Sequence, residues 1–215
     1  LLGLQLWVMG QRLLVVFLLI LALLSRETAI IFPLLFMVFY VSFIAKWSFL
    51  KSLKQAVTKA LPYFGVVFVY GILRLTFLNF ENTLNFYSKA NPYTESLLIR
   101  MYAFLNVLWT YAGLMILPLG QHMERSDTVY TYFWNLPVVS SFAVLLIVIF
   151  ILRYFYKTEI HNSKFIIQNS KFRIWFFAVG WFFVNLSMTS GITPINAQLY
   201  EHWLYLALLG PIVMS

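Results

Sequence analysis

The sequence contains no cysteine. This absence excludes a disulfide framework, a cysteine nucleophile and a thiolate metal site. Charged residues are scarce as well, at 10% of the 215 residues, whereas hydrophobic residues make up 62% and aromatic residues 20%. The mean hydropathy of +0.83 is far above that of a water-soluble domain of this length. The composition therefore predicts an integral membrane protein.

Motifs typical of soluble enzymes are also lacking. The sequence has no Gly-rich phosphate loop, no G-x-S-x-G elbow, no H-E-x-x-H helix and no paired Asp box. We predict no cofactor, and the sequence is silent on a divalent metal. The net charge of +8 does not indicate nucleic acid as a partner, because the basic residues lie in short groups between apolar runs.

Apolar runs follow one another along the chain, at about residues 12–24, 28–45, 61–78, 101–118, 136–152, 174–189 and from 203 onward. Most of them approach the roughly 20 residues that a helix needs to cross the hydrocarbon of a bilayer. We predict an all-α fold, a polytopic transmembrane helical bundle that forms a single membrane domain over residues 1–215. Because the sequence starts at Leu1 and stops at Ser215 inside an apolar run, we expect a fragment that is truncated at both ends.

Basic residues collect in two connections between the runs, and Arg12 precedes the first run. The positive-inside rule places all three of these sites in the cytoplasm. Six of the seven acidic residues lie outside the basic connections, and we therefore expect them on the outer face. The two connections contain Lys46, Lys51, Lys54 and Lys59, and then Arg153, Lys157, Lys164, Lys171 and Arg173.

Three apolar runs separate the two basic connections, although a return to the same side takes an even number of crossings. We expect the segment near residues 98–118 to be interfacial or re-entrant, because polar residues precede it and Pro118 and Gly120 follow its helix-like part. Such a segment would line a cavity on the outer side. About six spans remain, as in a multi-pass protein of the bacterial inner membrane or the endoplasmic reticulum. The alternative is an ordinary span, with the second basic connection outside.

The first polar group within the apolar runs is Ser25-Arg26-Glu27. A charged side chain at membrane depth costs roughly 2.5–3.5 kcal/mol on insertion scales, so something must compensate for it. A guanidinium can bind a phosphate through two parallel hydrogen bonds. We interpret Arg26 as a ligand for an anionic head group, with Glu27 orienting it or accepting a proton. The alternative is a solvated turn between two helices.

Two further polar groups border later runs. Arg100 and Glu124 lie at opposite borders of the segment near 98–118, and Glu201, His202 and Tyr205 lie at the start of the last run. We interpret these residues as candidates for substrate binding, and interfacial solvation together with an aromatic belt is the alternative. Neighbouring residues on a helix point about 100 degrees apart, so Glu201 and His202 do not form a ligand pair and we predict no metal site.

Taken in order, these stretches resemble the GT-C class of polytopic glycosyltransferases, in particular the protein O-mannosyltransferase-like branch that often carries tetratricopeptide repeats downstream. In that branch a Lys-Glu or Lys-Gly pair interrupts an apolar hairpin ahead of a Pro. The present sequence is similar, with Arg in place of Lys, at Arg26-Glu27 followed by Pro33.

The other two stretches extend the resemblance over most of the chain. The family has an Asn-Pro pair, an Arg, Leu-Pro-Leu, and then an acid and Ser, and its acid is usually Asp where Glu stands here. It also has a Glu-Arg-x-Leu-Tyr-Leu-Pro-Ser-x-Gly stretch, with Arg where His202 stands and Pro-Ser where Ala207-Leu208 stands. The matching positions are Asn91-Pro92, Arg100, Leu117-Pro118-Leu119, Glu124 and Ser126, and then residues 201–210.

The resemblance implies transfer of a sugar from a polyprenyl-phosphate donor to a hydroxyl acceptor, a protein or a glycolipid, on the outer side of the bilayer. It implies donor-phosphate and substrate binding by Arg26, Glu27, Arg100, Glu124, Glu201, His202 and Tyr205. The family's catalytic base lies in its first outer loop, so we expect that base upstream of Leu1.

Two other functions remain open at this point. A secondary transporter or lipid flippase would also carry intramembrane charges, although we find no inverted repeat in the sequence. A non-catalytic assembly subunit is the second alternative, and it predicts that the outer charges can be replaced without biochemical effect.

Overall fold

The structure is a computed structural model that describes residues 1–45, 49–77, 92–120, 124–125, 128–161, 171–190, 199–200 and 202–212. Within these ranges, the backbone alone is described at residues 94, 124, 125, 159–161, 189, 199, 200 and 202. All further statements about structure concern these residues.

The described chain is helical apart from one short ladder. The helices are α1 (Leu2–Val8), α2 (Arg12–Ser25), α3 (Phe32–Phe39), α4 (Phe49–Thr76), α5 (Pro92–Glu95), α6 (Leu97–Ile116), α7 (Leu136–His161), α8 (Lys171–Leu186), α9 (His202–Ala207) and α10 (Leu209–Ile212). A 3₁₀ helix (Glu27–Ile31) precedes α3, a π-helical turn (Tyr40–Ile44) continues it, and a 3₁₀ turn (Ser187–Thr189) continues α8. The ladder joins β1 (Glu124–Arg125) to β2 (Leu199–Tyr200) in antiparallel register.

Four helical segments are long and apolar enough to cross a bilayer, judged by length and composition. They are Glu27–Ile44, Phe49–Thr76, Leu97–Ile116 and Leu136–Thr158. The segments Arg12–Ser25 and Trp203–Ile212 are apolar but shorter. The all-helical prediction is therefore confirmed for the described residues. Four candidate spans are present there, and the expected total of about six spans stays a prediction.

Local sequence explains where several helices begin and end. Gly10 has a φ of +83°, which a side chain disfavours, and it forms the turn between α1 and α2. Ser96 caps α6, since its hydroxyl accepts a hydrogen bond from the Ile99 amide at 3.5 Å. α2 ends at Ser25, and Arg26, which adopts an extended conformation, separates it from the 3₁₀ helix before α3.

The bundle has two chemically different ends. At the first, which we call the lysine end, the Phe49 ring contacts the rings of Tyr156 and Phe172 at centroid distances of 5.7 and 5.5 Å. Buried Arg173 donates a hydrogen bond there to the Ala45 carbonyl oxygen. The two basic connections therefore meet at one end of the bundle. The compartment that this end faces stays a prediction.

The opposite end, which we call the Glu27 end, lies at the far end of α4. Arg74, in the last turn of α4, forms an ion pair with Glu27. The 25 residue-to-residue steps from Phe49 to Arg74 correspond to about 37 Å of helix, which exceeds the roughly 30 Å hydrocarbon thickness of a bilayer. Glu27 therefore lies a membrane thickness away from the lysine end, in agreement with the expected separation of acids from lysines.

The helix α6 lies between two chain segments at the Glu27 end. α4 ends there, and α7 must begin there because its last turns contact Phe49 at the lysine end and its 26 residues span about 39 Å. The chain between α4 and α7 thus leaves and returns at the same end, which is the path expected of a re-entrant segment. The 20 residues of α6 also suffice for a span. Partial insertion of the segment near 98–118 stays a prediction.

Two apolar clusters hold the helices together. The first surrounds Phe36, whose ring makes edge contacts with Trp7 and Tyr63 at 5.0 and 5.2 Å. The second surrounds Tyr111, which is fully buried, and joins α6 to the end of α8 and to α9. Gly210 of α10 approaches the α8 backbone so closely that an added Cβ would lie 2.3 Å from the Ala178 carbonyl oxygen. The last helices are therefore seated directly on α8.

Candidate functional site

A cavity with a volume of about 720 Å³ opens beside α2 and the start of α3. Most of its wall is apolar and comes from α1, α2, α3, α8 and α9, which the chain supplies from both of its ends. Four consecutive residues, Ser25 to Thr28, form a polar rim. The wall includes Leu19, Ala22, Leu35, Asn185, Met188, Trp203 and Leu206.

Arg26 occupies the rim with its side chain exposed. Its amide donates to the Ala22 carbonyl oxygen at 2.7 Å, which closes the last turn of α2, and its carbonyl oxygen accepts from the Ala29 amide at 3.1 Å. The partial negative charge at the C-terminus of α2 favours a cation at this position. Within the described residues the guanidinium of Arg26 has no ion-pair or hydrogen-bond partner. It is therefore available to an anion at the cavity rim.

Glu27 is held by a cation from another helix. It forms an ion pair with Arg74, whose Nη1 also donates to the Tyr70 hydroxyl at 3.2 Å. The side chain of Glu27 is 57% exposed and that of Arg74 is 21% exposed, so the pair lies at the surface of the rim. Glu27 also lies in the first turn of the 3₁₀ helix, where a carboxylate is favoured. The ion pair fixes the rim against α4.

Sequence reasoning did not identify Arg74. It is a single cation near the end of a long apolar run, with Tyr70 four residues earlier on the same helix face. That isolation in an apolar run is the signal that could have marked it.

The third polar stretch contributes two residues to the cavity. Trp203 and Leu206, three residues apart on α9, both line it. Leu206 is fixed because its carbonyl oxygen accepts a hydrogen bond from Trp181 Nε1 of α8 at 2.9 Å. Tyr205, which the sequence suggested as a site residue, is 68% exposed and does not line the cavity. The structure therefore brings the first and third stretches together, through Trp203 and Leu206 instead of Tyr205.

The second stretch meets the third through the backbone alone. In the ladder Glu124 is paired with Tyr200 and Arg125 with Leu199. Arg100, which is partly buried, donates through Nη1 to the Tyr93 carbonyl oxygen at 3.3 Å. Arg100 does not line the cavity at Arg26. The hydrogen bond to Tyr93 links α5 to the start of α6.

Three of the expected site residues fall partly or wholly outside the description. Glu201 lies outside the described residues, and the side chains of Glu124 and His202 do as well. Their roles therefore stay predictions from the sequence. Among the described residues, no group of three or more His, Asp or Glu side chains comes together as a metal site.

A second, smaller concavity lies on another face of the bundle. It has a volume of about 270 Å³ and lies between α6, α7 and α8. Trp109, Val148 and Trp175 are among its lining residues, none of which is charged. It can hold an acyl chain but offers no cation to a phosphate.

Comparison with family models, with curated proteins and with solved structures finds no match to this chain. The function is therefore inferred from the chemistry of the cavity.

The chemistry of the cavity is that of an amphipathic ligand site. Its volume lies in the range of about 300–1,000 Å³ that small-molecule sites occupy. The wall suits a hydrocarbon chain, and the exposed guanidinium at the rim suits a phosphate. A lipid with a phosphate head group satisfies both features.

Proposed function

We propose that this chain forms the donor-binding part of a membrane-embedded glycosyltransferase of the GT-C type. The enzyme transfers a sugar from a polyprenyl-phosphate donor to a hydroxyl acceptor. The observation that supports this most is the convergence of two family-like stretches on one cavity: Arg26 and Glu27 form its rim, and Trp203 and Leu206 form its wall. These stretches are about 180 residues apart in sequence, so their meeting is independent of the resemblance itself.

The apolar wall receives the first isoprene units of the donor. Leu19 and Leu35 present hydrocarbon surface to the cavity, and removing such surface from water lowers the free energy. The exposed Arg26 then lies where the lipid chain ends and the phosphate begins. A guanidinium binds a phosphate in a bidentate manner, which sets the orientation of the head group as well as its position.

The reaction breaks the bond between the sugar and the phosphate oxygen, so negative charge builds on that oxygen as it leaves. A positive group already in place stabilises this charge without reorganising. Arg26 takes this role, and Arg74 lies close by through its pairing with Glu27. Because Glu27 is engaged by Arg74, it acts as the group that orders the rim.

The direct test is sugar transfer by the purified protein in proteoliposomes with a radiolabelled polyprenyl-phosphate sugar. Arg26→Ala should reduce transfer at least a hundredfold, and Arg26→Lys should restore part of it, because a lysine keeps the charge but not the bidentate geometry. Lys54→Ala, at the lysine end, is the matched control and should transfer normally.

Two results would contradict the proposal. Full transfer by a correctly inserted Arg26→Ala variant would remove Arg26 from the donor site. Uptake of a solute by wild-type proteoliposomes without a covalent product would favour a transporter instead. The position of the Glu27–Arg74 pair at one end of the bundle, away from the midplane, favours the transferase.

A further inference from the structure

Asn185 is the one strongly polar side chain in the cavity wall below the rim, among the described residues. It lies near the end of α8, in an apolar run, and is 8% exposed. Its Oδ1 is buried and has no hydrogen-bond partner within the part of the chain that the structure describes. A buried acceptor without a partner is destabilising, so this oxygen suits a hydrogen-bond donor that the described residues do not supply.

The orientation of the Asn185 amide is fixed by its own helix. Nδ2 donates to the Trp181 carbonyl oxygen at 2.8 Å. Exchanging the two amide atoms would place two acceptors at that distance, so the oxygen must be the free atom. Trp181 in turn donates through Nε1 to Leu206, which lines the same cavity. The hydrogen bond between Trp181 and Leu206, which joins α9 to α8, therefore also fixes the position of Asn185 Oδ1.

The depth of Asn185 below the rim follows from the packing of α3 on α8. A Cβ at Gly180 would lie 3.0 Å from Val38, and Arg173 contacts Ala45, so the two helices run antiparallel. Five residues beyond Gly180, Asn185 lies level with Pro33. That is roughly 13 Å below Arg26, at about 2.0 Å per residue through the 3₁₀ helix Glu27–Ile31 and about 1.5 Å per residue after it. A hexosyl phosphate with one hydrogen bond at each end bridges a gap of this order.

We infer that Asn185 accepts a hydrogen bond from a hydroxyl group of the sugar on the bound lipid phosphate. The inference rests on the proposed function and adds the residue that distinguishes a glycosylated donor from the bare polyprenyl phosphate. Asn185 lines the cavity but its Oδ1 is buried, so binding requires a small movement of the wall that exposes this oxygen. Met188, three residues along the same face, is flexible enough to permit that movement.

The experiment compares two ligands, undecaprenyl phosphate and undecaprenyl phosphate mannose, bound to the intact protein in phosphatidylcholine nanodiscs. Asn185→Leu should weaken binding of the glycosylated lipid about five- to tenfold, the worth of one hydrogen bond, and leave the bare phosphate unchanged. Arg26→Ala should weaken both. Asn106→Leu is the matched control, since Asn106 is a 7% exposed helical asparagine that does not line the cavity.

A ligand-side measurement needs no variant. Among monodeoxy analogues of the mannosyl lipid, one should bind the wild-type protein about fivefold more weakly than the parent lipid. Equal binding of all the analogues would overturn the inference, as would equal weakening of both lipids by Asn185→Leu. If the wild-type protein binds neither polyprenyl lipid, the proposed function itself is wrong, and this outcome is distinct from a loss of sugar preference alone.

Discussion

Gly210→Ala offers the sharpest test of how the last helices are seated on α8. An added Cβ would lie 2.3 Å from the Ala178 carbonyl oxygen, whereas ordinary contacts begin at 3.4 Å. The backbones of α8 and α10 must then separate by about 1 Å, and overpacking of this kind typically costs about 1–3 kcal/mol. The obstacle is backbone, so no side-chain rotation can relieve it. We expect a clear loss of stability and a displaced Leu206 wall.

Gly113→Ala is the matched control, because a Cβ there meets nothing within 4 Å. In the helix α6 this change should stabilise the protein by up to about 1 kcal/mol, since alanine restricts the unfolded backbone more than glycine does. Unfolding by SDS, followed by circular dichroism in detergent micelles, measures both variants. Equal stability of the two would refute the close packing of α10 on α8.

Three further predictions address the rim, the topology and the cavity wall. Glu27→Ala should lower stability by no more than about 1 kcal/mol, because the ion pair is exposed. The same variant should raise the KM for the lipid donor. A double-mutant cycle with Arg74→Ala measures the coupling energy between the two side chains. The sequence contains no cysteine, so single introduced cysteines can be labelled cleanly. Trp134 is 83% exposed, and Trp134→Cys and Leu117→Cys should react with an impermeant maleimide from outside intact cells. Lys54→Cys should react only after permeabilisation. Labelling of Leu117→Cys from the inside would mean that α6 crosses the membrane. Trp181→Phe should weaken donor binding without loss of the fold, since it removes the hydrogen bond to Leu206, and unchanged binding would separate that contact from the cavity.

Much of the helical architecture followed from hydropathy alone. Within the described residues each apolar run lies largely in helical segments, because a backbone shielded from water must satisfy its own hydrogen bonds. The two basic connections were also expected to lie on the same side. In the structure Phe49 packs on Tyr156 and Phe172, which brings the helix ends that border these connections together. These features depend on residues close in sequence or on composition.

Contacts between distant residues were not available from the sequence. The ladder of Glu124 and Tyr200 has two residues in each strand, which is too short for an alternation pattern. The pairing of Glu27 with Arg74 depends on how α2 and α4 pack, which no local pattern encodes.

The candidate site was predicted in part. Arg26 stood out because charge in an apolar run is costly, and it does lie at a cavity. Tyr205 was selected as part of a motif, although helical geometry places residues three apart on one face. That rule pairs Trp203 with Leu206 and equally His202 with Tyr205, so the packing of α9 on α8 decides which pair faces the cavity. Asn185 carries the same signal as Arg26, a lone polar group in an apolar run, but its unsatisfied oxygen appears only in the fold.

Photolabelling tests the central claim, that the cavity beside α2 binds a polyprenyl phosphate, most directly. A polyprenyl phosphate carrying a diazirine on its first isoprene unit should label α2 and the 3₁₀ helix Glu27–Ile31. Unlabelled undecaprenyl phosphate should compete for this labelling, whereas undecaprenol should not, because it lacks the anion that Arg26 binds. Labelling confined to the groove between α6, α7 and α8, or equal competition by undecaprenol, would contradict the account.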